Sequence, residues 1–431
     1  TLVERQLSVA PSPPNSGDEA CLPHAKWPKR RILPAVLMRA GTSKGLFIQR
    51  KDLPPNQDDW SAPLLAAMGS SLSDTRQIDG VGGATSTTSK VAVVGPSQIS
   101  GIDVDYTFVQ VAVGSNQVDL SGSCGNMAAG VGPFALQEGL LPPATPGQTS
   151  IDVRIFNTNT SRLMIETLQL TEGGDFEENG DYVISGVKGS GSEVKIGFVD
   201  PAGSMTGQLF PTGRGNEQLV IRRTDGSEPM FTVMATLIDI TNPFILVHKE
   251  SLPEDLQSLP PSSEMFAESI EAIRREGAVK MKLAPSLEAA SLVRGTPKIV
   301  LISSTKTNNT SEAADINVQA FSMGKPHPTL QISGAVCLAA AVCIPDTIAA
   351  KLNSKTFDYG QGRLPSPPRE LSPRDCSENL KRLVKVAHPS GMIQVEVIIR
   401  YDVDGLVIVD RCLVSRTARR IFEGNVMYYL N

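Results

Sequence analysis

Alternating and short continuous runs of apolar residues dominate the chain. Residues 31–53 contain two strand-like runs, ILPAVLM and GLFIQ, joined by Ala40-Gly41-Thr42-Ser43-Lys44-Gly45. VAVVG, after Lys90, has the length of a buried strand. DYTFVQVAV and NQVDL alternate with a period of two. Further strands are predicted over 151–157, 162–170 and 192–199, and the closing segments AHPSGMIQVEVII and SRTARRIFEGNVMYY add more. Helical patterns are fewer. One is predicted within 60–77. A second, built of small residues, starts at Cys124 and should kink at Pro133. A third is capped by Ser262 or Ser263, carries Phe266, Ile270 and Ile273 as its stripe, and should end at Gly277. DPAGSMTGQLFPTG (200–213) reads as a connection, and 358–373 as a surface loop.

The second half echoes the first. ATLIDITNPFILVHKESLP (235–253) resembles AVLMRAGTSKGLFIQRKDLP (35–54), and TPKIVLISS (296–304) resembles TSKVAVVGP (88–96). SGAVCLAAAV (333–342) resembles SCGNMAAGVG (123–132), placing Ser333 on Cys124 and Gly334 on Gly125. Three echoes in one order point to a duplicated unit. The expected organisation is an N-terminal extension (1–30) that is disordered, a first unit (31–200) and a second (201–431), with the last strands returning to the first.

Composition narrows the function classes. A chain of 431 residues exceeds one ordinary core. A net charge of −5 gives no electrostatic case for nucleic acid. Ala335–Pro345 is the longest apolar run and is too short to span a bilayer, so no membrane association is expected. Six cysteines without a CxxC pair suit reduced thiols in a cytoplasmic protein. No P-loop or GxGxxG opening occurs, and the four histidines are scattered, so neither metal nor cofactor is expected.

The chemistry concentrates in DGVGGATSTTSK (79–90) and SGSCGNMAAGVG (121–132). Lys90 ends a Gly/Thr/Ser run, including Ser86, that would let a ligand approach backbone; an edge lysine is the bland alternative. Cys124 precedes Gly125-Asn126 at a helix start, where unpaired N–H groups favour a thiolate or a bound carboxylate. The bland alternative is a small buried hydrophobe. Lys325 and His327, shortly before Ser333, are either loop charges or carboxylate clamps.

RAGTSKG, DGVGGATSTTSK, SGSCGNMAAGVGPFALQEGL, DPAGSMTG, MGKPHPT, HPSG and RTARRIFEG together resemble the PrpF family from about residue 31 to the end. That family includes 2-methylaconitate cis-trans isomerase and methylitaconate Δ-isomerase, and the chain resembles the fungal aconitate-Δ-isomerases among them. The resemblance implies an α+β, diaminopimelate-epimerase-like fold: two pseudo-symmetric domains, each a β-barrel-like sheet around a central helix, with the site between them. It places the catalytic lysine and cysteine on Lys90 and Cys124. Ser333 falls where the epimerase has a second cysteine, a departure that suits a proton shift between neighbouring carbons. Lys325 falls where the epimerase has a carboxylate-clamping arginine. Gly125, Asn126, Gly334, His327, Ser43, Lys44, Ser86, Ser390 and Gly391 become the further binding contacts.

The expected function is a cofactor-independent isomerase of a small tricarboxylate, converting cis-aconitate to trans-aconitate, with a homodimer as the assembly to test. 2-Methylaconitate or methylitaconate is the alternative substrate. From another class, a Cys/Ser amidase or a non-catalytic protein accessory to an aconitase-type enzyme would use the same residues differently.

Overall fold

The computed structural model describes residues 28–222, 229–305, 314–322, 324–353, 380–402 and 405–430. The loop expected over 358–373 and residues 1–27 of the expected extension lie outside them. The first half contains β1 (Lys29–Ala40), β2 (Ser43–Gln49), α1 (Ser61–Met68), β3 (Lys90–Pro96), β4 (Val104–Val111), β5 (Val118–Asp119), α2 (Gly125–Ala128), α3 (Val131–Gln137), β6 (Ser150–Asn157), β7 (Arg162–Gln169) and β8 (Val194–Val199). The second contains β9 (Glu217–Arg222), β10 (Pro229–Ile240), β11 (Asn242–His248), α4 (Glu254–Ser258), α5 (Glu264–Lys280), α6 (Leu287–Leu292), β12 (Lys298–Ser303), β13 (Ile316–Ser322) and β14 (Lys325–Pro326). It continues with α7 (Ile332–Cys343), α8 (Ile348–Leu352), β15 (Leu380–His388), β16 (Gly391–Tyr401), β17 (Val407–Arg416) and β18 (Ala418–Leu430).

Strand pairing is continuous. It runs β18-β1-β2-β3-β4-β6-β7-β8, crosses to β17, and returns β16-β15-β13-β12-β11-β10-β9. The halves repeat each other in pairing direction. β2–β3 and β4–β6 are parallel, as are β11–β12 and β13–β15. Register repeats too: Lys90 stands opposite Gly45, and Lys298 opposite Phe244. β18 pairs along almost the whole of β1, as β9 pairs with β10, so the last strand completes the sheet of the first half.

Each sheet curls round a central helix. All twelve residues of α7 are buried. It carries no charge, and a helix that is apolar all round has no face to offer water. The equivalent helix of the first half is broken. α2 stops at Ala128 and α3 restarts at Val131, because Pro133 cannot supply the N–H of a continuous helix. α1 and α5 cover the outer faces of the two sheets in separate clusters. β3, β11 and β12 are therefore covered on both sides, which explains their unbroken apolar runs.

Several predicted boundaries shift. The helix expected over 60–77 ends at Met68, because Gly69 takes a left-handed conformation. Lys29 and Arg30 belong to β1 rather than to a tail, since β18 extends far enough to pair with them. NQVDL contributes only Val118 and Asp119 as strand. Ser263 caps α5 as expected, but Gly277 lies inside it. A Cβ there would stand 2.2 Å from Ile245 Cδ1, so this glycine serves close packing of helix on sheet. The helix ends instead with Lys282 in the left-handed region.

The N-terminal ends of α2 and α7 meet at the centre. A Cβ on Gly125 would lie 2.8 Å from the Cβ of Ile332, the first residue of α7. Gly125→Ala should therefore force the two ends apart, at an expected cost of about 1–3 kcal/mol in stability. A denaturant titration checks this; an unchanged midpoint would show that the approach is not limiting.

Candidate active site

The helix ends point into a cavity of about 580 Å³, its mouth included, between the halves. Lys90, Ser43, Ser86, Gln110, Asp119 and Ser123–Cys124 line it from the first half, with Asn126. Lys298, Ser322, His327, Gln331 and Ser333 line it from the second.

Lys90 opens β3, with only 8% of its surface exposed. Its Nζ donates to Gln110 Oε1 at 2.7 Å and lies 5.0 Å from the Phe108 ring centre. Gln110 donates its own Nε2 to Ser89 O, which fixes its oxygen toward the lysine. Burial lowers the Lys90 pKa below the usual lysine range, while the neighbouring Cys124 works in the opposite sense. A lysine with that bias holds a larger share of neutral amine near pH 7 than a free one does.

Cys124 is the residue before α2 and is almost completely buried. Its carbonyl accepts from Tyr106 Oη at 3.1 Å. The preceding residue is gripped by the second half. Ser123 N donates to Asn242 Oδ1 at 2.9 Å, and Ser123 O accepts from Lys298 Nζ at 2.9 Å. Asn242 opens β11, where the echo places the equivalent of Ser43. Thr42, in the β1–β2 turn, reaches Thr329 of the second half, with 3.2 Å between hydroxyls, and receives Asn126 Nδ2 at 3.1 Å.

Lys298 is a residue that the sequence alone did not single out. It is half-buried, its Nζ lies 3.3 Å from Ser333 Oγ, and crowding by protein lowers its pKa to about 8. The Lys90 charge pushes in the same direction, and Cys124 and Asp119 oppose both. The pairing of TSK with TPK in the internal echo was the available signal. His327 is buried, and its pKa falls to about 4, chiefly through burial, so the ring is neutral. Its Nδ1 lies 2.6 Å from Thr329 O. Thr329 N donates to the same Nδ1 at 3.1 Å, so both backbone groups of Thr329 hold the ring in place.

Other expected contacts lie elsewhere. Lys325 is exposed on β14; the strand ends at Pro326, and the turn carries His327 inward without it. Lys44 alternates outward from Ser43. Gly125 lines a smaller adjoining cavity that shares Ser123 and Ser333. Gly334 sits inside α7, packed against Leu330 and Phe244. Ser390 and Gly391 form the exposed β15–β16 turn, where Ser390 Oγ donates to Pro328 O at 2.5 Å. Ser43 Oγ and Gln331 Oε1 are buried at the cavity without a partner among the described residues. Those residues contain no cluster of three or more His, Cys, Asp or Glu fit to hold a metal, and no helix long and apolar enough to cross a membrane.

A family model described as PrpF protein matches residues 30–373. The chain belongs to the PrpF family. It is 33% identical over 407 residues to 3-methylitaconate isomerase of Eubacterium barkeri, covering 91% of this chain and 96% of that protein. It is 32% identical over 421 residues to 2-methyl-aconitate isomerase of Shewanella oneidensis, covering 93% and 98%. A crystal structure of methylitaconate-delta-isomerase superposes with a TM-score of 0.64 at 31% identity, covering 93% of this chain and 96% of that one. The expected epimerase-like fold is the one observed, and the chain is an isomerase.

Behind Cys124 lies one more titratable group. Glu166 is fully buried, accepts from Gly132 N at 2.8 Å, and has its pKa raised by burial to about 8. The unfolded carboxyl titrates near about 4.3. Between those values the folded state binds more protons, so Glu166 makes stability fall as pH rises from about 4 to 8. Glu166→Gln keeps an acceptor for Gly132 and removes the titration. Its denaturation midpoint should exceed that of the parent more at pH 8 than at pH 5; an equal difference at both would show that Glu166 is not protonated in the fold.

Proposed function

We propose that this isomerase shifts an allylic proton in a small unsaturated tricarboxylate, with cis-aconitate to trans-aconitate as its reaction. The observation that carries the reading is the desolvated Lys90 amine beside Cys124, in a cavity that also holds Lys298 and is otherwise lined mainly by hydroxyl and amide groups. Two basic side chains against Asp119 favour a polyanion. The partnerless Ser43 hydroxyl supplies a donor for a carboxylate.

Lys90 as the neutral amine takes a proton from the substrate CH₂, which is both allylic and next to a carboxylate. The electron pair spreads over the double bond into that carboxylate. Protonation at the other allylic end completes the shift. Aconitate has the same constitution after the shift, so only its geometry changes. The extra charge of the dienolate needs donors already in position, and such preorganised donors often lower the barrier more than any other single effect. Cys124, Asn126 and the hydroxyls of Ser43 and Ser333 line the cavity where that charge would develop. No step asks for a metal or nucleotide.

2-Methylaconitate and methylitaconate form the second reading, favoured by the names of the relatives. Proton NMR in D₂O with each acid decides between them. An amidase would release ammonia from an amide instead, and an accessory protein would exchange no proton. Failure to incorporate deuterium into any of the three acids would refute the reading. Lys90→Ala should lose about 10³-fold or more in kcat, and Cys124→Ser should stay within about 10²-fold of the parent. A dead Cys124→Ser beside an active Lys90→Ala would make the thiolate the base. Lys325→Ala, far from the chemistry, should change kcat/KM by less than about threefold; a larger loss would return Lys325 to the site.

A further inference from the structure

We infer that Lys298 is a second catalytic residue, the acid that returns the proton to the far allylic carbon of the dienolate. The inference rests on the proton-shift reading above. Its basis is the pseudo-symmetry of the halves. Lys90 and Lys298 open equivalent strands in the same register against β2 and β11. Both line one cavity, and each Nζ stands near a phenyl ring, at 5.0 Å from Phe108 and 5.9 Å from Phe244. Cys124 shares a half with Lys90, whereas Lys298 comes from the other half. A proton removed at one carbon and delivered at another two bonds away can be handled by two groups, one at each end of the allylic system, and Lys90 and Lys298 come from the two sides of the cavity.

The step balances. A C–H bond breaks and an N–H bond forms on Lys90, which becomes an ammonium. At the other end of the delocalised system an N–H bond of Lys298 breaks and a C–H bond forms. Lys298 is left as an amine, and proton exchange with water resets both groups. The surroundings suit this division. With its pKa near 8, Lys298 is mostly protonated at neutral pH yet far more acidic than a free lysine. Lys90, Cys124 and Asp119 act on that charge, and neutral His327 adds none. Two ammonium groups in one cavity repel, so charging either one disfavours charging the other.

A bracing role is the competing account, because Lys298 also donates to Ser123 O. The two separate in D₂O. In Lys298→Gln, Lys90 can still remove and return a proton at the substrate CH₂. Deuterium wash-in to the unreacted acid should therefore stay within about threefold of the parent, while product formation falls by about 10²-fold or more. Lys298→Arg restores the cation and a donor, but arginine does not give up its proton. It should fold and bind like the parent and remain deficient in isomerisation. The proposal fails if wash-in and isomerisation fall together in Lys298→Gln, if only KM changes, or if Lys298→Arg recovers full turnover. Absence of both exchange and isomerisation in the parent protein, with all three acids, would instead sink the proton-shift reading itself.

Discussion

Two lysine side chains drawn into one cavity carry a desolvation cost, and the surrounding architecture answers it. An ammonium in protein surroundings needs hydrogen bonds, an opposite charge, or conversion to the neutral amine. Lys90 has Gln110 and a phenyl face. Lys298 has a serine carbonyl, a serine hydroxyl and the Asp119 carboxylate nearby. The cost that remains appears as lowered basicity in both. A base with a depressed pKa is what proton abstraction near neutral pH requires. The same burial that strains the electrostatics suits the proposed chemistry.

That arrangement exists only because the halves meet head to head. Cys124 is not placed by its own half alone. Asn242 and Lys298, from the other half, grip the backbone of Ser123, and Tyr106 holds the carbonyl of Cys124. Gly125 permits the contact, because any side chain there would collide with the start of α7. The continuous β8–β17 pairing and the return of β18 to β1 bind the halves into a single sheet. Relative movement of the halves would open the site and also loosen these ladders.

Much of this was legible in the sequence, for local reasons. Period-two alternation located most strands. The echo of the small-residue Cys124 segment in SGAVCLAAAV marked the position of α7. The repeat of strand, glycine-rich turn and small-residue helix implied a duplicated fold, and conspicuous residue types drew attention to Lys90 and Cys124. The boundaries that moved were those set by distant partners. Gly277 resembles a helix stop, yet its missing side chain accommodates Ile245 across the sheet.

The sequence by itself determined most elements and their duplication, and drew attention to Lys90 and Cys124, because these readings depend on periodicity and on residue chemistry. The tertiary structure decided which charges face the cavity. Lys325 and Lys298 are equally plausible as letters, since both are lysines beside strand patterns. Only the pairing of β12 with β11 turns Lys298 into the cavity, and only the end of β14 at Pro326 leaves Lys325 in water while His327 goes in. Side-chain direction at a cleft between two halves is fixed by long-range register, and no local pattern encodes it.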